Sequence, residues 1–160
     1  MLLTSPRTPA EWAAYYRLRY QVLRQPWQQP EGSERADDDP APTTTHALLL
    51  DEATGQAVGV GRLHPSGPGQ GQVRFMAVHP AWQGRGVGRQ VLQHLEAAAR
   101  EQGLREVVLH AREEAVPFYQ RQGYAVVAPS HTLFGRIPHF LMRRELGCVN
   151  SDYLARWSKC

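Results

Sequence analysis

The pattern of hydrophobic and polar positions predicts two well-defined helices. Apolar and aromatic residues recur at helical spacing between positions 12 and 22, directly after Thr8-Pro9-Ala10-Glu11, which reads as a capping box with proline at the first helical position. We therefore predict a first helix from about Pro9 to Arg24. A second amphipathic stretch predicts a helix from Gly88 to Gln102, and Gly103 follows where a C-terminal cap is expected.

Short apolar runs bounded by turn residues predict the strands. They are Ala47–Leu50, Ala57–Leu63, Gln72–Val78, Glu106–His110, Tyr124–Val127 and Phe140–Leu146. A short helix is expected over Glu113–Gln122, ended by Gly123, and residues 26–45 form the longest stretch without periodicity. Strands grouped first, then alternating with helices, indicate the α/β class with a mixed central sheet and helices on its faces.

Length and composition favour one domain. A chain of 160 residues with 42% hydrophobic residues can build one sizeable core. We expect residues 1–146 to form a single domain and 147–160 a C-terminal tail. The net charge of +3 is spread over scattered arginines, without the clustered basic and aromatic residues of a nucleic-acid groove.

The sequence also bears on location and metal content. No stretch approaches the ~20 apolar residues of a membrane span, and the start lacks a basic segment followed by an apolar one. We expect a cytoplasmic protein with no membrane partner and no nucleic-acid partner. The only cysteines are Cys148 and Cys160, which match neither a disulfide framework nor a zinc pattern, so no metal is expected.

A glycine-rich segment joins the third strand to the second predicted helix and has the character of an anion site. Unpaired backbone N–H groups and the helix dipole attract a phosphate there, and glycines let it approach the main chain. No Gly-Lys-Ser/Thr follows, which excludes the mononucleotide P-loop, and Arg89 stands where a dinucleotide fingerprint needs its third glycine. The remaining pattern is Gln/Arg-x-x-Gly-x-Gly/Ala, filled by Gln83, Gly86 and Gly88.

This pattern resembles the acetyl-CoA diphosphate loop of the GCN5-related N-acetyltransferase (GNAT) superfamily. Ala115–Tyr124 is similar to the A-x-x-F-Y-x-x-x-G-F/Y segment of the same family, and the two motifs stand in the family's order with a strand between them. Together they cover about a third of the chain. With Met76-Ala77-Val78 and Ile137-Pro138-His139, the likeness extends loosely to the ElaA-like subgroup.

The resemblance implies a mixed, twisted sheet of about six or seven strands flanked by about four helices. It also implies an N-acetyltransferase that moves an acetyl group from acetyl-CoA, its cosubstrate, to a primary amine of a small molecule or peptide. The reaction would be direct attack in a ternary complex. Two alternatives stay open: a non-catalytic acyl-CoA-binding or sensing domain, and a transferase of the same fold that uses a longer acyl group. The acceptor and the oligomeric state, including a homodimer, also stay open.

The resemblance further implies a set of cofactor-binding positions. Backbone groups of the strand before the loop would bind the pantetheine arm, and N–H groups of the loop would hold the diphosphate. The positions are Met76, Ala77, Val78, Gln83, Gly84, Arg85, Gly86, Val87, Gly88 and Arg89. The side chains of Arg85 and Arg89 either bind phosphate or are solvated surface residues. Arg112 stands where many relatives carry an asparagine that faces the cofactor.

One residue is expected to be catalytic. Tyr119 matches the family tyrosine that can protonate the departing thiolate, although a helical tyrosine is more often core. A base for the amine is not decided among His64, His110 and His139, each of which could equally be structural. The run Asp37-Asp38-Asp39 is expected to be a solvated acidic turn, with attraction of a cationic amine as the alternative.

Overall fold

A single seven-stranded sheet forms the centre of the computed structural model, which describes residues 1–147. Its strands, in the order β1-β2-β3-β4-β5-β7-β6 across the sheet, are β1 (Leu2–Thr4), β2 (Thr45–Leu50), β3 (Ala57–Gly67), β4 (Gln70–Val78), β5 (Glu106–Arg112), β6 (Ala125–Leu133) and β7 (Ile137–Glu145). Only β4 and β5 pair in parallel, so the sheet is mixed, as predicted. Strand β1 was not predicted because three residues show no periodicity. Residues 148–160, most of the expected tail and both cysteines, lie outside the described residues.

Three α-helices accompany the sheet within these residues, where about four helices were expected. They are α1 (Pro9–Leu23), α2 (Val87–Glu101) and α3 (Val116–Arg121), with short 3₁₀ helices at Gln25–Trp27, Pro80–Trp82 and Glu113–Ala115. The predicted capping box of α1 is confirmed. The Thr8 hydroxyl accepts the Glu11 N–H at 3.1 Å, and the Glu11 carboxylate accepts the Thr8 N–H at 3.3 Å.

The sheet is covered on both faces. Helix α1 packs on one face with Leu48 and Leu50, and α2 and α3 pack on the other with Ala47 and Leu49. Neighbouring residues of β2 thus point to opposite cores, as the two-residue period of a strand requires. This explains why β2 reads as a continuous apolar run rather than an alternating one.

Two glycines of β3 let α2 approach the sheet closely. A Cβ at Gly59 would lie 2.5 Å from Cγ1 of Val87, and one at Gly61 would lie 2.5 Å from Sδ of Met76 and 3.0 Å from Cδ1 of Leu95. Larger residues would push the helix outward. The first turn of α2 is therefore set against β3, which fixes the position of the glycine-rich loop that precedes it.

The long loop before β2 is fastened to the sheet by buried ion pairs. Asp39, only 4% exposed, accepts from Arg19 at 2.8 Å and from Arg62 at 2.6 Å, and both arginines are fully buried. Asp38 binds Arg62 with both oxygens, at 2.6 and 2.8 Å. The expected solvated acidic turn is therefore wrong for Asp39, because two buried arginines need a counter-charge, whereas Asp38 is ion-paired but its side chain remains 45% exposed. Asp37 is exposed.

A hydrogen-bond chain extends this network to α1 and β2. Arg19 donates to the Tyr15 hydroxyl at 2.7 Å, and that hydroxyl lies 2.7 Å from Nδ1 of His46. Nε2 of His46 lies 2.8 Å from the carbonyl of Asp39, so Nε2 carries the proton and Nδ1 accepts from Tyr15. Burial lowers the pKa of His46, which agrees with a neutral ring. The loop, helix and sheet thus share one polar core, in which only the Nε groups of Arg19 and Arg62 have no hydrogen-bond partner among the described residues.

Candidate active site

Strands β4 and β5 pair over only four positions and then separate. The pairing runs from Gln70 with Glu106 to Val73 with Leu109. Beyond it the register of β4 with β3 also shifts, and Phe75 adopts a left-handed conformation with φ of 55°. A cleft of about 440 Å³ lies at this fork. On the side of β4 that faces the cleft, residues 74–78 therefore have no partner strand, while β3 still pairs with the other side.

The structure brings the predicted strand and motif residues together at this cleft. Met76, Ala77, Val78, Gln83 and Tyr119 all line it. These residues come from three separate parts of the chain. They meet at the cleft because the fork between β4 and β5 opens beside α3. The glycine-rich loop continues directly from Gln83 into α2.

The N-terminus of α2 has the geometry of an anion site. Gly86 is the N-cap residue with φ of 78°, and no side chain caps the first turn. Gly84 is also left-handed, with φ of 74°, and a Cβ at either glycine would meet no protein atom within 4 Å. The open space above both glycines and the uncapped N–H groups therefore fit a phosphate group.

The two arginines of the loop have surface positions. Arg85 and Arg89 are both exposed, and the Arg85 guanidinium lies 5.0 Å from the centre of the Trp82 ring. Neither takes part in a salt bridge within residues 1–147. Both side chains are thus available to an anion at the loop.

Tyr119 is buried at the wall of the cleft. Its side chain is 7% exposed, and its ring packs edge-on against Phe118 and Tyr124. Burial raises the pKa of the Tyr119 hydroxyl, against a smaller opposite effect of the Arg112 charge. The hydroxyl therefore keeps its proton at neutral and mildly alkaline pH and can act as a donor.

Three histidines from three strands meet at the cleft. Nδ1 of His110 lies 2.6 Å from Oγ of Ser130, which lies 2.9 Å from Nδ1 of His131. The His131 ring stacks on His139 at 4.6 Å. All three histidines line the cleft. His64, by contrast, sits outside it beside Arg62, at 3.3 Å.

Burial lowers the pKa of two members of this cluster. For His110 the positive charges of His131 and Arg74 add to the effect of burial, whereas for His139 a hydrogen bond to the Ile137 carbonyl opposes it. That bond fixes the proton of His139 on Nδ1. Both rings are therefore neutral at pH 7, as a base must be.

Three arginines complete the lining. Arg24 follows the end of α1, Arg74 lies on β4 and Arg112 ends β5. Burial lowers the pKa of each, and in Arg24 the charges of Arg112, Arg19 and Arg74 lower it further. The cleft thus has a wall of neighbouring cations.

Sequence reasoning did not identify Arg24, Arg74 or His131 as site residues. Strand β6 extends to Leu133 instead of the predicted Val127 and so carries Ser130 and His131 to the cleft. Its internal Pro129 is compatible with a strand because β6 lies at the edge of the sheet. The sequence alone does not show that β6 lies at the edge of the sheet.

Residues 1–147 contain neither a cluster of metal-ligating side chains nor a helix that could span a membrane. No group of three or more His, Cys, Asp or Glu side chains in this part of the chain could hold a metal ion. None of its helices combines the length and the apolar character needed to cross a membrane.

Comparisons with known proteins place the chain among acetyltransferases. The model of the acetyltransferase (GNAT) family matches residues 12–124. The chain is 30% identical over 113 residues to the uncharacterized N-acetyltransferase YjcF of Bacillus subtilis (strain 168), covering 71% of this chain and 79% of YjcF.

Two solved structures share the fold. Escherichia coli ElaA superposes with a TM-score of 0.76 at 21% identity, covering 90% of this chain and 97% of ElaA. An aminoglycoside 6'-N-acetyltransferase complexed with coenzyme A superposes with a TM-score of 0.78 at 14% identity, covering 92% of this chain and 98% of that chain.

The family match spans both sequence motifs and most of the sheet that forms the fork. Together with the relative and the shared fold, it shows that this chain belongs to the acetyltransferase (GNAT) family and is an acyltransferase.

Proposed function

We propose that this protein is an N-acetyltransferase that moves the acetyl group of acetyl-CoA to a primary amine of a small molecule or peptide in the cytoplasm. The observation that carries the proposal is the fork between β4 and β5, which opens between an uncapped helix N-terminus and Tyr119. An extended thioester arm fits such a fork as an added strand.

The cosubstrate would be held mainly by backbone groups. N–H groups from Gly84 to Arg89 would bind the diphosphate at the start of α2. Met76, Ala77 and Val78 would hydrogen-bond the amide groups of the pantetheine arm along the open edge of β4. Gln83 lines the cleft beside this path, and Val87, whose side chain is buried in the core, would contribute only its backbone N–H. Arg85 and Arg89 would add charge at the outer end of the path.

Direct attack of the amine would develop negative charge on the acetyl oxygen and then on the leaving sulfur. Backbone N–H groups at the bulge around Phe75 are available for the oxygen. Tyr119, which keeps its proton, would donate to the sulfur as the carbon–sulfur bond breaks. The transfer then needs no covalent acetyl-enzyme.

His110 is the base that the geometry favours. It is the first residue of β5 beyond the fork, and Nδ1 is engaged by Ser130, which leaves Nε2 for the amine. The bonds through Ser130 to His131 offer the accepted proton a route away from the amine. His139 lines the same cleft but is more buried.

Replacing Gly86 by alanine should lower the affinity for CoA by about tenfold or more, because a Cβ would occupy the space of the phosphate. Gly103→Ala is the matched control, since Gly103 has a similar φ of 75° and equally open surroundings. Both variants carry the same backbone strain, and titration calorimetry should find weakened binding only for Gly86→Ala. Equal CoA affinity of the two variants would contradict the loop assignment.

Tyr119→Phe should lower kcat by about ten- to a thousandfold with little change in acetyl-CoA binding, because a general acid acts on the leaving group. Stopped-flow measurement of thiol release would isolate the chemical step. Tyr124→Phe removes a buried hydroxyl that bonds Glu96 and should keep kcat within about threefold. The role of Tyr119 is refuted if the two variants behave alike.

At saturating amine, kcat should fall as pH drops through a pKa below about 6.5, because His110 must be neutral and its pKa is lowered. His110→Gln should reduce kcat at pH 7 by about a hundredfold and remove this acidic limb. His94→Gln on α2, away from the cleft, should leave the profile unchanged. An acidic limb that persists in His110→Gln but vanishes in His139→Gln would transfer the role to His139.

Initial rates with both substrates varied should give intersecting double-reciprocal lines, as expected for a ternary complex. Intact mass should show no acetyl-enzyme, and propionyl-CoA and butyryl-CoA in place of acetyl-CoA would measure the preferred acyl length. Parallel lines with an acetylated enzyme would refute direct attack. Binding of CoA without amine-dependent thiol release would contradict acetyl transfer itself.

A further inference from the structure

The cationic wall of the cleft lies beyond the point where the thioester would end. A diphosphate at Gly84–Arg89 fixes one end of the cosubstrate, and its arm would then follow β4 backwards through Val78, Ala77 and Met76. The bulge at Phe75 ends this open edge. The next cleft residues towards the fork are Arg74 on β4 and His110 on β5. They face the acceptor rather than the phosphates.

The three arginines that line the cleft differ in their salt-bridge partners from the two buried arginines, Arg19 and Arg62. Arg19 and Arg62 are neutralised by aspartates, whereas Arg24, Arg74 and Arg112 form no salt bridge within residues 1–147. The carboxylates that act on these arginines are Glu34 on Arg24, Glu114 on Arg112, and Asp38 and Asp39, already paired with Arg62, on Arg74. Neither glutamate lines the cleft, and no other Asp or Glu of the described residues does.

Arg24 and Arg74 are held so that they converge on one place. The Arg24 guanidinium lies 5.6 Å from the centre of the Phe75 ring and donates to the Ser33 carbonyl at 3.0 Å. The Arg74 guanidinium lies 4.8 Å from the same ring. Arg19 and Arg62 also flank this ring, at 4.0 and 5.6 Å, but both are neutralised by Asp39 and neither lines the cleft. Arg24 and Arg74, with Arg112 on the facing strand, are therefore the guanidinium groups placed to bind an anionic group in the cleft.

We propose that the acceptor is a small primary amine that also carries an acidic group, a carboxylate or a phosphate, which Arg24 and Arg74 bind while Arg112 adds to the attraction. This inference rests on the proposed function and names its acceptor class. The same positive field disfavours polycationic acceptors.

The test compares matched amines with saturating acetyl-CoA. Each α-amino or ω-amino acid is compared with its amide. Each amino-alcohol phosphate is compared with the free amino alcohol. Spermidine represents polycationic acceptors. Thiol release should give kcat/KM values about tenfold or more higher for the acidic member of productive pairs. The carboxylate and phosphate arms identify which acid fits.

Variants connect the preference to the arginines. Arg74→Gln should raise KM for the acidic amine by about ten- to a hundredfold and should change KM for its neutral partner by less than about twofold. Arg74→Lys should restore part of the preference for the acidic amine. Arg74 is exposed, so its replacement should not prevent folding. Arg105→Gln removes an exposed arginine outside the cleft and should leave both amines unchanged.

The possible outcomes distinguish a failure of the proposed acceptor class from a failure of the proposed function. Turnover that favours neutral amines or spermidine would overturn the acidic acceptor while acetyl transfer stands. Loss of acetyl-CoA affinity in Arg74→Gln, with an unchanged acceptor KM, would assign the arginines to the cosubstrate and also overturn it. If acetyl-CoA binds but no amine of any class is acetylated, the proposed function fails, and the acceptor class fails with it.

Discussion

The proposed site depends on one interruption of hydrogen bonding, the loss of pairing between β4 and β5 after Val73 and Leu109. A continuous sheet would satisfy these backbone groups internally and leave no space for a ligand. Because buried N–H and C=O groups require partners, an open strand edge inside a sheet selects a ligand with amide groups of its own. In the proposed complex, the cleft would recognise the pantetheine arm through main-chain groups, which would leave its side chains for chemistry.

The ion pairs around Asp39 join the long loop before β2 to the rest of the fold. They hold a loop that has little regular structure against α1 and β3, and they neutralise two arginines that the core has buried. Removing one partner of a buried pair typically costs about 3–5 kcal/mol, because a lone charge remains in the interior. Asp39 is thus a structural residue of the fold, although its sequence neighbourhood looks like surface.

Much of the architecture follows from the sequence, because local patterns determine it. The cap of α1, the amphipathic face of α2 and the glycine-rich loop depend on residues a few positions apart, and the structure confirms the elements they predict. The cationic wall could not be predicted in this way. Arg24, Arg74 and Arg112 are distant in sequence, and only the fork and the path of α1 bring them together.

The register that places Arg62 opposite Arg74 has an electrostatic consequence. Asp38 and Asp39 act as the counter-ions of Arg62, so the loop that carries them screens one layer of positive charge behind the cleft wall. Undocking this loop would expose that charge to the cleft. The loop therefore influences the potential at Arg74 from a distance, and the half-exposed Asp38 offers a way to change that potential without altering a residue that lines the cleft.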